Sequence, residues 1–395
     1  MAHVAMVAFT HYHSDPRVRR EAEALADRGD AVDVICLRGR EHPRREVVDG
    51  VNIWGAYSPR YRGPHPALYG LQYLVFLLVA MFALVRLHRG NRVDVVQVHT
   101  LPDFMVFCAM PLAWRGVPVI LDMHDLMPEL YADKFGGAGN LVRVLQWVER
   151  ASIRFADRVI VVTHPHRRVL VDRGDPADKI VVVHNMPDPS RFPLQSPRAR
   201  SRSTDGRIRF VYHGTIAARH GLDVAVMATD IARRELPGVE LLIIGDGDAA
   251  DQVERLIEEL DLHDQVTLSR GFVPVEELLP RLLECDAGVV PVIDGPFTQY
   301  MLPTKLLEYS ALGMPTICTS LAAVLEYFDE NQVALVPSGD VEALAAAMVE
   351  LGSDPDRAAA LAIGAASFFG SHGWETEQQR HRDLVDELVD RGRRG

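Results

Sequence analysis

Ile208-Arg209-Phe210-Val211-Tyr212-His213-Gly214-Thr215-Ile216-Ala217-Ala218-Arg219-His220-Gly221 is the stretch on which the architecture turns. A six-residue run of strand composition leads straight into a glycine, and residues 190–206 before it have the Pro, Ser and Arg content of a linker. A strand that restarts a pattern after a linker marks a second domain. On both sides of it, short runs rich in Val and Ile alternate with helical patterns, as in parallel sheets with crossover helices. Strands are expected at 3–10, 31–37, 94–99, 117–122, 157–163 and 179–184, and then at 208–213, 239–244, 265–269, 286–291, 315–319 and 333–336. The first helix is expected from about Val18 to Gly29. A chain of 395 residues suits two such α/β domains, each doubly wound. Ligands of these sheets sit at the carboxyl ends of the strands, so two facing halves are expected to place a nucleotide-sized site in their cleft.

Composition narrows the partners. A net charge of −12 argues against nucleic acid, which needs a cationic footprint. The charge is uneven, because Arg38, Arg40, Arg44, Arg45, Arg60, Arg62, Arg86, Arg89 and Arg92 face only Glu41, Glu46 and Asp49 in that stretch. The cysteines, Cys36, Cys108, Cys285 and Cys318, form no Cys-x-x-Cys pair, which fits a reducing cytoplasm and suggests neither disulfides nor a zinc site. The chain opens on an apolar strand pattern and not on a signal peptide.

Residues 67–85 hold one strongly polar side chain, Gln72, and are long enough to cross a bilayer. Strands expected before and after them belong to one sheet, which opposes a crossing. Two readings remain: a helix buried against the sheet, or a helix with apolar surface against a membrane and flanking arginines on anionic head groups.

Leu302-Pro303-Thr304-Lys305-Leu306-Leu307-Glu308 begins a helix with Pro303 in its first turn, closed by Gly313 and Pro315. Lys305 and Glu308 are three apart on one face, as a solvated salt bridge or as a cation and a carboxylate offered to one ligand. Gly214 at a strand end allows close approach of a ligand to the backbone, and Arg219 supplies a forked cation for phosphate. Gly245 follows another strand, and Asp246 or Asp248 is expected to cap the next helix. His124 and His99 stand at strand ends, and on the residues alone a histidine between Asp122 and Asp125 reads first as a structural hydrogen-bonded group and second as a functional one.

In order and spacing, several segments together resemble the retaining glycosyltransferases of family 4, group 1. They are Asp15-Pro16-Arg17-Val18-Arg19-Arg20-Glu21, Asn185-Met186-Pro187-Asp188, the Gly214–Gly221 segment, Gly245-Asp246-Gly247, Gly271-Phe272-Val273 and the Pro303-Thr304-Lys305 helix. The resemblance implies the GT-B fold, two facing Rossmann-like domains. Residues 1–189 would bind acceptor, 190–206 link, 207–371 bind nucleotide-sugar, and 372–395 form a helix packing back on the first domain. It implies donor contacts from Gly214, Thr215, Arg219, Gly245, Phe272, Val273, Tyr300, Thr304, Lys305 and Glu308, and acceptor contacts from His11, Asp15, His99, Asp122 and His124. His124, Arg219 and Lys305 would be catalytic. The family's Glu-x7-Glu motif keeps its second member as Glu308 but has Tyr300 at the first, which alters the sugar contact. Thr215 and His220 replace the family's diphosphate Arg and Lys, leaving Arg219 and Lys305 for those charges. No metal or other cofactor is expected.

The activity implied is transfer of a sugar, with retention, to a hydroxyl of a lipid-linked or saccharide acceptor in cell-envelope polysaccharide or glycolipid synthesis. Residues 67–89 would touch the inner face of the membrane. The alternatives are a transferase for a soluble small molecule, and a non-catalytic sugar-nucleotide-binding partner.

Overall fold

Strands buried on both faces account for the apolar runs of the first half: β1 (His3–His11), β2 (Ala31–Leu37), β5 (Val95–His99), β6 (Val119–Met123), β7 (Arg158–Val161) and β8 (Ile180–Val182). The computed structural model describes residues 1–39, 41–56, 66–135, 139–197 and 207–394. Arg40, Arg60 and Arg62, and 198–206 of the expected linker, lie outside the described residues. The chain divides into two units, Met1–Asn185 with Glu375–Gly395, and Met186–Trp374.

Unit 1 is an eight-stranded sheet in the order β3-β4-β2-β1-β5-β6-β7-β8, parallel except at one edge. That edge, the antiparallel pair β3 (Arg45–Val48) and β4 (Val51–Ala56), is not among the expected strands. Its signal was Asp49-Gly50, which both take positive φ, 49° and 78°, as a primed hairpin turn requires. The charge around it, with Val47 69% exposed, disguised an edge strand. The first helix, α1 (Pro16–Asp27), starts two residues before Val18, because the Asp15 carboxylate accepts from the N–H groups of Arg17 and Val18 and Pro16 fills the first helical position.

The apolar helix α2 (Pro66–Gly90) joins β4 to β5 of the same sheet, so it is a crossover helix. Phe76, Ala80 and Leu84 face inward and are fully buried, whereas Leu71, Leu74, Leu78 and Phe82 are exposed. Mean hydropathy over Gly70–Gly90 is 2.0, yet only 33% of its most apolar window is buried. The helix is therefore apolar on its outward side as well.

Unit 2 carries a six-stranded parallel sheet, β11-β10-β9-β12-β13-β14. Its strands are β9 (Ile208–His213), β10 (Val239–Gly245), β11 (Val266–Arg270), β12 (Ala287–Val290), β13 (Thr316–Thr319) and β14 (Ala334–Val336). The order reverses between β9 and β12, so the loop after β9 lies at the switch point of a doubly wound sheet. The helix Thr304–Ala311 begins one residue later than expected: Pro303 is its cap residue, with extended backbone. Phe192 is buried in this unit's core and Gln195 N–H donates to the Ala311 carbonyl, so the first part of the expected linker is packed structure.

The C-terminal helix Trp374–Arg394 sends Leu384, Val385, Leu388 and Val389 into the core of unit 1, beside Val4, Met6 and Leu25. Burial of four such side chains stabilises by roughly 6–12 kcal/mol, comparable to the net stability of a domain. Deleting residues 375–395 is expected to abolish hydrogen-exchange protection of β1, β2 and β5 while that of β9 and β10 persists; mass spectrometry of the exchanged peptides checks it.

Candidate functional site

In unit 1 the residues of interest converge on one buried carboxylate. Register pairs His99 with Asp122 at the carboxyl ends of β5 and β6. Asp122 is fully buried, and Arg17 of α1 grips it with two hydrogen bonds, Nε to Oδ2 at 2.9 Å and Nη2 to Oδ1 at 2.7 Å. The same Oδ2 lies 2.8 Å from His99 Nδ1 and 3.2 Å from His124 Nε2, and the two ring nitrogens are 3.3 Å apart. Burial alone would raise the Asp122 carboxyl, but Arg17 and then His124 and His99 hold it well below the usual carboxylate range. Burial opposes the His124 cation; Asp122, by its charge and hydrogen bond, outweighs burial and raises the imidazole pKa. His124 alone of the three keeps a partly exposed side chain, so it is the accessible member of the cluster.

The other two acceptor candidates lie at the end of β1 and in the loop after it, and the Asp15 charge acts on both Arg17 and His124. His11 Nδ1 lies 3.3 Å from the Leu37 carbonyl. Asp15 is the α1 cap, so its carboxylate is committed to backbone N–H groups. Arg17, to which no role was assigned, is the residue that sequence reasoning missed. Its presence in the Asp15–Glu21 segment was the available signal.

In unit 2 the chain crowds around Gly214. This residue has φ 108°, and a Cβ on it would lie 2.9 Å from Lys305 Cε; a Cβ on Gly245, at φ 148°, would lie 1.9 Å from the Gly214 carbonyl oxygen. Gly245 needs to be glycine for the two strand ends to approach, and at Gly214 the missing Cβ leaves room for the Lys305 stem. Lys305 Nζ sits 5.0 Å from the centre of the Tyr212 ring. Burial lowers the Lys305 pKa; Glu308 opposes this in part, and the charge of Arg219 lowers it further. Arg219 Nε is buried and makes no hydrogen bond among the described residues. Two neighbouring cations, one without a partner for its Nε, favour an anion.

Glu308 does not bridge to Lys305. It accepts from His213 Nε2 at 2.7 Å, and the other face of that imidazole is fixed by the Tyr309 hydroxyl, 2.9 Å from Nδ1 and 3.1 Å from the His213 backbone N–H. His213 was the second residue missed; its place at the end of β9 was the signal. His220 is buried with Nδ1 2.7 Å from the Thr215 carbonyl, and burial, followed by Lys305, lowers its pKa to about 4. A neutral histidine at this place leaves Arg219 and Lys305 as the cations near Gly214. Thr215 and Thr304 lie at loop and helix start, Tyr300 ends the short turn Thr298–Tyr300, Val273 is half-buried, and Phe272 is 83% exposed. Asp246 corrects the expected cap: it accepts from Gly247 N–H and pairs with Arg270, and the helix Ala250–Glu259 has no side-chain cap.

Residues 14–186 match the family described as Glycosyl transferase 4-like domain, and residues 207–354 match Glycosyl transferases group 1. A glycogen synthase of Mycobacterium tuberculosis is 28% identical over 86% of this chain and 82% of its own. A GDP-mannose-dependent alpha-(1-6)-phosphatidylinositol monomannoside mannosyltransferase of Mycolicibacterium smegmatis is 26% identical over 64% of this chain and 75% of its own. Among solved structures, a sucrose-phosphate synthase from Thermosynechococcus elongatus superposes with a TM-score of 0.79 at 20% identity, covering 99% of this chain and 100% of that one. That structure carries the GT-B fold, and the likeness assigns it here.

Asp122→Asn takes from the buried Arg17 its bidentate partner and leaves it Glu21 alone, 3.3 Å away, and is expected to cost about 3–5 kcal/mol. A raised His124 pKa contributes stability that is present below the pKa of free imidazole and lost as pH rises through the folded value. Denaturant titrations across that pH window should show this slope in the wild type and its loss in Asp122→Asn.

Proposed function

The chain belongs to the group 1 glycosyltransferases, and from that premise we propose that it moves a sugar from a nucleotide diphosphate to an acceptor hydroxyl with retention of anomeric configuration. The observation that carries the donor assignment is the grouping of Gly214, Arg219, Lys305 and the His213-held Glu308 at the switch point of unit 2. Arg219 and Lys305 would neutralise the diphosphate as the bond to the anomeric carbon breaks, and Glu308 would accept hydrogen bonds from ribose hydroxyls. The acceptor oxygen bonds to that carbon on the face the diphosphate leaves, and its proton passes to the departing phosphate oxygen. Positioning supplies most of the rate in such a step. His124, polarised by Asp122, is assigned to the acceptor side near the reacting sugar, and the donor charges are met by protein cations without a metal.

We assign the acceptor to the lipid-linked or envelope class, at the cytoplasmic face of a membrane. The support is the outward face of α2, where Leu71, Leu74, Leu78 and Phe82 are exposed and Arg86 and Arg89 follow at its end. The Mycolicibacterium smegmatis relative is described as acting on a phosphatidylinositol monomannoside, a lipid acceptor. A soluble small-molecule acceptor is the second reading.

Glu308→Ala is expected to lower kcat/KM at least about a hundredfold and to abolish thermal stabilisation by the cognate donor in a panel of UDP-, GDP-, ADP- and dTDP-sugars. No stabilisation of the wild type by any of them would count against the donor assignment. The protein should float with vesicles containing anionic phospholipid, and Phe82→Asp should release it; a wild type that stays in the soluble fraction favours the second reading.

A further inference from the structure

Beyond the transfer site, unit 1 holds a second constellation that the proposed reaction does not use. His13 lies in the turn Tyr12–Ser14 that follows β1, His42 in the connection from β2 to β3, and Glu46 on β3. His13 Nε2 is 2.9 Å from Glu46 Oε1, and His42 Nδ1 is 3.6 Å from the same oxygen. We propose that His13, His42 and Glu46 bind a zinc-class divalent cation, with a remaining coordination position open to the adjoining cavity of about 400 Å³.

Two imidazoles and a carboxylate are a ligand set that zinc accepts. A tetrahedral ion with bonds of about 2.0–2.2 Å holds its ligand atoms about 3.3 Å apart, and the two measured separations lie on either side of that value. The Asp122 cluster offers the same types of ligand, His99, Asp122 and His124, but there Arg17 already occupies both carboxylate oxygens with its own positive charge. Glu46 has no such competitor: its ion-pair partners among the described residues are the two imidazoles. The cavity beside them is lined also by His11, Tyr12, Leu37 and Arg38, so an ion held here faces a space large enough for a water or a ligand oxygen.

The rings are stacked, 4.0 Å between centroids and 14° between planes, and two rings in that stack do not aim their lone pairs at one point. Binding therefore turns one ring. His42 is the one with room, its side chain being 41% exposed. Gly39 matters to that room, because a Cβ there would lie 2.9 Å from His42 Cδ2. At His13 the ion takes the Nε2 lone pair in place of the hydrogen bond to Glu46, and the ring proton passes to Nδ1.

The test is calorimetric titration of zinc chloride into the metal-stripped full chain, with cobalt(II) absorption as a second readout. One ion per chain is expected, with visible cobalt bands of a low-coordinate nitrogen and oxygen site. Affinity should drop at least about tenfold in Glu46→Gln and in His42→Ala, each with an unchanged thermal transition. Absence of stoichiometric binding in the wild type overturns the proposal. Binding that survives the double variant His13→Ala/His42→Ala and vanishes in His124→Ala also overturns it, placing the ion at the Asp122 cluster.

Discussion

Much of unit 1 is organised by the bidentate Arg17–Asp122 pair. A guanidinium buried with a carboxylate is a costly thing to bring out of water, and it persists only where geometry is close to ideal and the remaining lone pairs are used. Both conditions hold, because the second oxygen also receives two imidazoles. The pair ties the start of α1 to the end of β6, and through Asp122 it decides where His99 and His124 point. Moving α1 by one residue would strand a charge, so the loop after β1 has little freedom. That loop supplies His11, His13 and Asp15.

Unit 2 depends on backbone approach and not on an ion pair. Gly245 lets two strand ends meet at a distance that any side chain would prevent, and the missing Cβ of Gly214 leaves room for the Lys305 stem. Glu308, freed from Lys305, is held by His213, and His213 by Tyr309. The carboxylate is thereby presented by a chain of hydrogen bonds rooted in a fully buried phenol. Cations and carboxylate are kept apart on one helix turn, where a direct salt bridge would have cancelled both.

The strands were legible because buried parallel strands read as unbroken apolar runs. Legibility failed where the deciding partner is far along the chain. Arg17 meets Asp122 across 105 residues and His213 meets Glu308 across 95, and no local pattern encodes either contact. The β3–β4 hairpin was hidden differently: its Asp-Gly turn was visible, but the strand beside it is exposed and charged. The orientation of α2 was unreadable in principle. A helix with apolar residues on every side has no stripe from which to infer its inner face.

The C-terminal helix completes the core of unit 1, while residues 186–374 form unit 2. The ribosome therefore releases all of unit 2 before the last piece of unit 1 exists. The second domain can consolidate as soon as its own strands emerge, whereas the first must wait, with the seat for Leu384, Val385, Leu388 and Val389 uncovered, until those residues have emerged in turn. For this interval the nascent first domain shows apolar surface of the kind that chaperones hold, and a chain cut short between residues 374 and 384 has a sound second unit alone.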